Sequence, residues 1–208
     1  MIGLIGGTFD PIHFGHLRTA LEIAEQLSLE EVRFIPSAIP PHRWQPEASA
    51  MLRLDMVKLA IKDESIFTID DREYKREGAS YTIDTLKSIR KELDVDTPLC
   101  MIIGLDAFQS FTQWHDWQGI LENCHLVVSS RPGYQHLESE EWLDNRLTNK
   151  IEELHKEKAG LIYFANVTQL DISATFIRKQ LSSGTSSRYL TTNSVYNYIL
   201  RNRLYETQ

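Results

Sequence analysis

Apolar residues along the chain follow two spacings. Short runs at Gly3 to Ile5, Val32 to Pro36, Ile66 to Ile69, Leu99 to Ile103, His125 to Ser129 and Leu161 to Ala165 have the length and near-continuous apolar character of strands buried on both faces. Between them, Leu17, Ala20, Leu21 and Ala24 recur at the three- and four-residue steps of an amphipathic helix, as do Leu54, Val57 and Ile61, and then Ile83, Leu86, Ile89 and Leu93. Strand and helix patterns therefore alternate, which predicts right-handed β-α-β units. The expected fold is α/β, a Rossmann-like doubly wound parallel sheet with helices on both faces. The apolar positions named so far are assigned to the core. Residues 135–158 are charged and helical in pattern without a chemical motif, and read as a solvated helical cover.

Open α/β sheets bind ligands at the carboxyl ends of their strands, so the segments after the strand patterns carry the candidate chemistry. After the first comes Gly6-Gly7-Thr8-Phe9-Asp10-Pro11-Ile12-His13-Phe14-Gly15-His16, which opens directly into a helical pattern. Glycines at such a turn let backbone N–H groups approach a phosphate, and the helix N-terminus adds partial positive charge. Neither the P-loop nor the Gly-x-Gly-x-x-Gly dinucleotide pattern occurs. Metal binding by the two histidines lacks further ligands, because Cys100 and Cys124 lie far along the chain without partner spacing.

Four further segments stand out. Ile39-Pro40-Pro41-His42-Arg43 is stiffened by its prolines and presents two cation-capable side chains, although a plain surface loop has the same composition. Gly78-Ala79-Ser80-Tyr81-Thr82 precedes a helix, where Ser80 or Thr82 fits either a cap or a ligand contact. Gly104 and Asp106 follow the fourth strand, where a carboxylate accepts ribose hydroxyls or caps a helix; Trp114 and Trp117 come next, each able to stack on a flat ring or to pack in a core. Arg131 follows the fifth strand as a further cation. Near the end, Ile172-Ser173-Ala174-Thr175-Phe176-Ile177-Arg178 reads as a capped helix start suited to anions, with a permanently charged guanidinium one turn along.

The bulk properties limit the function classes. A chain of 208 residues with 42% hydrophobic residues and no linker-like stretch supports one α/β domain over 1–208. A net charge of −7 and a pI near 5.5 argue against broad attraction to nucleic acid or an anionic membrane. Two distant cysteines suit a reducing compartment, and no apolar run approaches the length of a membrane span. The expectation is a cytoplasmic protein.

His13-Phe14-Gly15-His16 resembles the His-x-Gly-His signature of the nucleotidyltransferase superfamily. The Ile-Ser-Ala-Thr-x-Ile-Arg segment resembles that superfamily too, and the longer string from Gly6 to His16, with Pro-Pro-His-Arg, Ser-Tyr-Thr and Trp114, resembles the nicotinate-nucleotide adenylyltransferases. The resemblance implies adenylyl transfer from ATP to nicotinate mononucleotide, giving nicotinate adenine dinucleotide and pyrophosphate in NAD biosynthesis. It implies that His16, His13 and Arg178 act as cationic ligands of the polyphosphate. ATP would be held by Gly6, Gly7, Thr8, Phe9, Gly15, His16, Gly104, Asp106, Ile172, Ser173, Thr175 and Arg178. Nicotinate mononucleotide would meet Thr8, His42, Arg43, Ser80, Tyr81, Thr82 and Trp114, with Trp117 left to packing. His115 stands where some relatives have an aromatic residue, and Ala174 where many have a second serine. Mg²⁺ is the implied cofactor, carried on substrate phosphates and water, with no protein metal site. Transfer to another phosphorylated acceptor such as phosphopantetheine, or a noncatalytic nucleotide sensor, are the competing functions.

Overall fold

The computed structural model describes residues 1–41, 45–130 and 141–206. In chain order the strands and helices are β1 (Ile2–Gly7), α1 (Phe14–Gln26), β2 (Glu31–Pro36), α2 (Ala50–Ile61), β3 (Phe67–Ile69), α3 (Thr82–Arg90), β4 (Leu99–Gly104), α4 (Leu105–Gln109), α5 (Trp117–Asn123), β5 (His125–Ser130), α6 (Glu141–Asp144), α7 (Ile151–Lys156), β6 (Ile162–Asn166), α8 (Ala174–Ser182) and α9 (Asn193–Arg201), with 3-10 turns at Arg72–Lys75 and Phe111–Gln113. The strands form one sheet of order β3-β2-β1-β4-β5-β6, all parallel. That order reverses between β1 and β4, and both of these strands end in glycine. The six strand runs read from the apolar pattern are thus the six strands of an α/β Rossmann-like sheet.

The chain divides into two compact units that interleave along the sequence. One contains Met1–Gly6, Thr19–Arg33 and Tyr81–Gln169, the other Gly7–Arg18, Phe34–Ser80 and Leu170–Gln208. In the first, β4 lies beside β5 with Met101 opposite Leu126 and Ile103 opposite Val128, and β5 lies beside β6 with Val128 opposite Phe164. Leu99, Leu126, Val127, Val128 and Ile162 have no exposed surface, because parallel strands covered on both sides leave no solvent face. The buried stripe of α1 there runs through Ala20, Ile23 and Ala24, while Leu21 is half-buried. Helix α3 stops at Arg90 rather than continuing to Leu93: the Lys91 N–H turns back to the Ile89 carbonyl. Arg90 itself donates to the carbonyls of Asn123, Thr97 and Lys158 at 2.8, 2.6 and 2.8 Å, so a basic residue in the last helical turn ties the end of α5 to two loop carbonyls.

Of the expected solvated cover, residues 135–140 lie outside the described residues, and the remainder is only partly that. Leu143 of α6 and Leu154 of α7 are fully buried, and Leu147 pairs with Ile162 as an isolated parallel bridge. The charged residues supplied the solvated face, and the few leucines among them supply core. In the second unit, Phe34 and Phe67 meet edge-on with centroids 5.0 Å apart, and Leu54, Met56, Val57, Ile177, Val195 and Ile199 are buried. Helices α2, α8 and α9 each start on a hydroxyl cap: Ser49 accepts from the Leu52 N–H, Ser173 from Phe176 and Thr192 from Val195. No helix among the described residues is long and apolar enough to cross a membrane.

Candidate active site

The second unit holds the glycine- and histidine-rich loop. Strand β1 runs into Thr8 and then Phe9, whose φ of 50° places a bulky residue in the left-handed region. Its ring is held by Phe34, with centroids 6.0 Å apart, and by the edge of His16 at 5.1 Å. Asp10 is 5% exposed and spends its carboxylate inside the protein: it accepts from the N–H groups of Glu47 (2.8 Å) and Ala48 (3.2 Å) and from the Tyr205 hydroxyl (2.7 Å). Burial and the nearby Asp10 carboxylate push the Tyr205 phenol well above its ordinary value. The loop carbonyl of Ile12 accepts from Thr191 at 2.8 Å, and the Phe14 N–H donates to Leu190 at 3.1 Å. Chain ends nearly two hundred residues apart in sequence are thereby fastened together.

His13 and His16 stack with ring centroids 3.8 Å apart and 30° between planes. The His13 backbone N–H points at the His16 Nδ1 at 3.3 Å, so this nitrogen accepts and the ring proton of His16 belongs on Nε2, where it is a donor. Burial lowers the His13 pKa to about 4; burial, reinforced by the neighbouring His13, holds His16 well below the ordinary histidine range. Both imidazoles are therefore neutral at pH 7. Stacking and desolvation both disfavour charge on these rings, so a cationic role for either would have to come with a bound anion. Gly15 is required between them, because a Cβ at that position would lie 2.9 Å from His13 Nδ1 and 3.5 Å from the Ile172 carbonyl. His13 Nδ1 is buried with no hydrogen-bond partner among the described residues.

Arg178 supplies the permanent charge. It lies on α8, pairs through Nε with Glu47 at 2.7 Å and donates through one terminal nitrogen to the Asp10 carbonyl at 2.8 Å. Ser173 uses its hydroxyl to cap α8, and Thr175 is exposed in the first turn. The second unit thus brings together Phe9, His13, Gly15, His16, Ile172 and Arg178. Ser80, also here, is buried and joined twice to Ile39: its N–H donates to the Ile39 carbonyl at 2.9 Å and its Oγ accepts the Ile39 N–H at 3.2 Å. His42, Arg43 and Arg131 lie outside the described residues.

The first unit holds the remaining positions. Gly6 is exposed at the end of β1. Gly104 is the N-cap of α4, and the exposed Asp106 folds back so that a Cβ on Gly104 would lie 2.7 Å from its Oδ1. Neither Ser80 nor Thr82 caps α3, whose N-cap is Tyr81 without a side-chain bond. The Tyr81 ring instead packs on His115, with centroids 4.5 Å apart. Trp114 is half-buried against Phe111 at 5.7 Å, while Trp117 packs among Phe111 and Trp142 at 6.0 and 5.0 Å, as its assignment to packing requires. Both cysteines are buried, with burial raising the Cys100 thiol to about 12 and Cys124 further still, so neither is poised as a nucleophile.

Polar residues of the frame beneath the loop carry no mark in the motifs, Arg53 foremost. Arg53 of α2 is 1% exposed and donates to the carbonyls of Thr8, Ser37, Ala38 and Ala48. Its signal was available: it stands among Leu54, Met56, Val57 and Ile61 on the buried side of α2, where a charge is out of place. Glu47 and Tyr205 are equally unmarked, and for Tyr205 no local pattern announces its partner, whereas Asp10 stands inside the loop motif itself.

Comparison with known proteins identifies the family. Residues 4–180 match the model of the cytidylyltransferase-like family. The chain is 47% identical over 208 residues to a probable nicotinate-nucleotide adenylyltransferase of Psychromonas ingrahamii, covering 99% of this chain and 97% of the relative. It is 45% identical over 206 residues to the nicotinate-nucleotide adenylyltransferase of Escherichia coli O6:H1, covering 97% of each. The solved nicotinic acid mononucleotide adenylyltransferase of Plasmodium falciparum, complexed with NaAD, shares the fold with a TM-score of 0.73 at 21% identity, over 98% of this chain and 96% of that one. Sequence, fold and relatives converge, and the chain belongs to the nicotinate-nucleotide adenylyltransferases of the cytidylyltransferase-like family.

Proposed function

We propose that this chain joins the adenylyl group of ATP to nicotinate mononucleotide by direct in-line displacement. An oxygen of the mononucleotide phosphate forms a bond to the α-phosphorus as the bond to the β-phosphate oxygen breaks, and pyrophosphate departs with the electron pair. The nucleophile is already an anion, so no general base is needed; the demands are positioning two anions and stabilising the charge that grows on pyrophosphate. The observation that carries this reading is the stacked, neutral His13–His16 pair. With Nδ1 of His16 occupied, its Nε2–H is a fixed donor for a phosphate oxygen, and Arg178 on the neighbouring helix adds the positive charge.

The assignment of ATP to the histidine loop and the α8 entry, and of the mononucleotide to Ser80, Tyr81, Thr82, Trp114, His42 and Arg43, belongs to this proposal, as do Gly104 and Asp106 for the adenosine half. Among the described residues no three His, Cys, Asp or Glu side chains gather as a metal cage. A Mg²⁺ ion carried on triphosphate oxygens and water would offset phosphate charge. The free, buried Cys100 and Cys124 support a reducing compartment, and we assign the protein to the cytoplasm.

Pyrophosphate release with ATP and Mg²⁺ tests the reading, with nicotinate mononucleotide, nicotinamide mononucleotide and phosphopantetheine compared as acceptors. Turnover that strongly prefers the first supports it. Turnover with phosphopantetheine alone removes the pyridine site, and ATP binding without turnover turns the chain into a nucleotide sensor.

A further inference from the structure

Arg53 is the largest fully buried side chain of the described residues, and no carboxylate is among its partners. Burying a guanidinium is costly unless its donors are met. Here the acceptors are four backbone carbonyls from three segments: Thr8 and Ser37, each 2.7 Å from one terminal nitrogen, Ala38 at 3.1 Å from the other, and Ala48 at 3.3 Å from Nε. A planar fork with donors fixed in several directions reaches such a set, and an ammonium does not. The Ala48 segment is gripped from both sides, since Arg53 takes its carbonyl and Asp10 takes its N–H.

The bond to Thr8 has the most direct consequence. A trans peptide is planar, with its C=O and the following N–H pointing in opposite directions. Holding the Thr8 carbonyl on Arg53 therefore turns the Phe9 N–H away from the Arg53 side chain. Among the described residues nothing accepts that N–H, and Phe9 is held at a φ of 50° that it would not adopt unaided. The buried positive charge also lies behind this peptide, where low dielectric strengthens its attraction for an anion on the other side.

We propose that Arg53 is a positioning residue for adenylyl transfer: by pinning the Thr8 carbonyl it aims the Phe9 N–H at the polyphosphate and holds the His13–His16 loop in register with residues 37–38 and 48. The inference rests on the ATP assignment made above. It predicts that Arg53→Lys and Arg53→Gln, assayed well below their unfolding temperatures, lose about tenfold or more in kcat while KM for both substrates moves by less than about threefold, because misaimed groups cost the transition state more than the ground state. A merely structural arginine lowers Tm and leaves the kcat of the folded fraction alone. Folded variants with kcat within about twofold of wild type overturn the proposal.

Should the variants fail to fold, the wild-type protein still decides. Titration with ATP, without acceptor, followed by nitrogen-proton NMR should move the Phe9 amide and the Arg53 Nε–H resonances together as ATP saturates. An unmoved Phe9 amide at saturation overturns the proposal. If ATP moves both resonances while nicotinate mononucleotide gives no pyrophosphate, the acceptor reading fails and the role of Arg53 stands.

Discussion

The histidine loop and the Tyr81–Trp114 region handle polar groups in opposite ways. In the first, Asp10, His13 and Arg53 are almost wholly removed from solvent, and Asp10 and Arg53 are met by backbone groups from distant segments. In the second, Asp106 and His115 are exposed, and the aromatic groups lean on one another with Trp114 and Tyr81 only half-buried. A phosphate-binding loop must present fixed dipoles and charge without reorganising during the reaction, which calls for a rigid polar frame. A flat ring asks only for an apolar surface of the right shape, and a few anchored side chains supply it. Changes in the loop should therefore alter chemistry and stability, and changes in the aromatic region should alter affinity alone.

The largest break in that contrast is His16→Ala, expected to lower turnover by about 10²- to 10³-fold, the scale of losing one preorganised donor at a developing charge. Steady-state pyrophosphate release alongside circular dichroism checks it, and near-normal turnover in a folded variant would remove His16 from the chemistry.

Acidification tests the frame next. His13 titrates at about 4 in the folded protein against an ordinary 6.5, so its contribution to stability is full above pH 6.5 and lost as the pH falls towards 4. Linkage gives about 2 kcal/mol lost between pH 7.5 and pH 5 from this group. Urea unfolding at the two pH values should show that loss in wild type and a smaller one in His13→Gln. Equal losses would mean that His13 is not desolvated.

Tyr205→Phe deletes one donor to the buried Asp10 carboxylate, which retains its bonds to the Glu47 and Ala48 N–H groups. A cost of about 1–2 kcal/mol, read as a drop of several degrees in Tm, follows from the net worth of a hydrogen bond to a charged group. An unchanged Tm would show that the chain end does not brace the loop.

The smallest effect is expected from Trp114→Ala. Loss of one stacking face should raise KM for nicotinate mononucleotide about fivefold, with KM for ATP and Tm little changed. A variant impaired equally for both substrates would blur the contrast between the two regions.

Much of the fold was legible because parallel strands and amphipathic helices repeat their apolar residues at fixed short spacings. Differences arose where a helix ended on a local backbone turn, as α3 does at Arg90, and where sparse leucines in charged surroundings supplied core, as Leu143 and Leu154 do. The site was legible in its contiguous motifs. Ser173 caps α8 as its spacing implies, while Ser80, which reads equally well as a cap, is tied to Ile39.

The amino-acid sequence by itself determined the order of strands and helices, the strand-to-helix turn bearing His13 and His16, and the family to which the chain belongs. These are local properties: residue type, periodicity and contiguous spacing. Only the tertiary structure decided that the two histidines are neutral, that Gly15 is small because His13 lies over it, and that Arg53, Asp10 and Tyr205 form the frame beneath the loop. Those properties come from desolvation and from hydrogen bonds between residues up to 195 positions apart, and no local pattern encodes them.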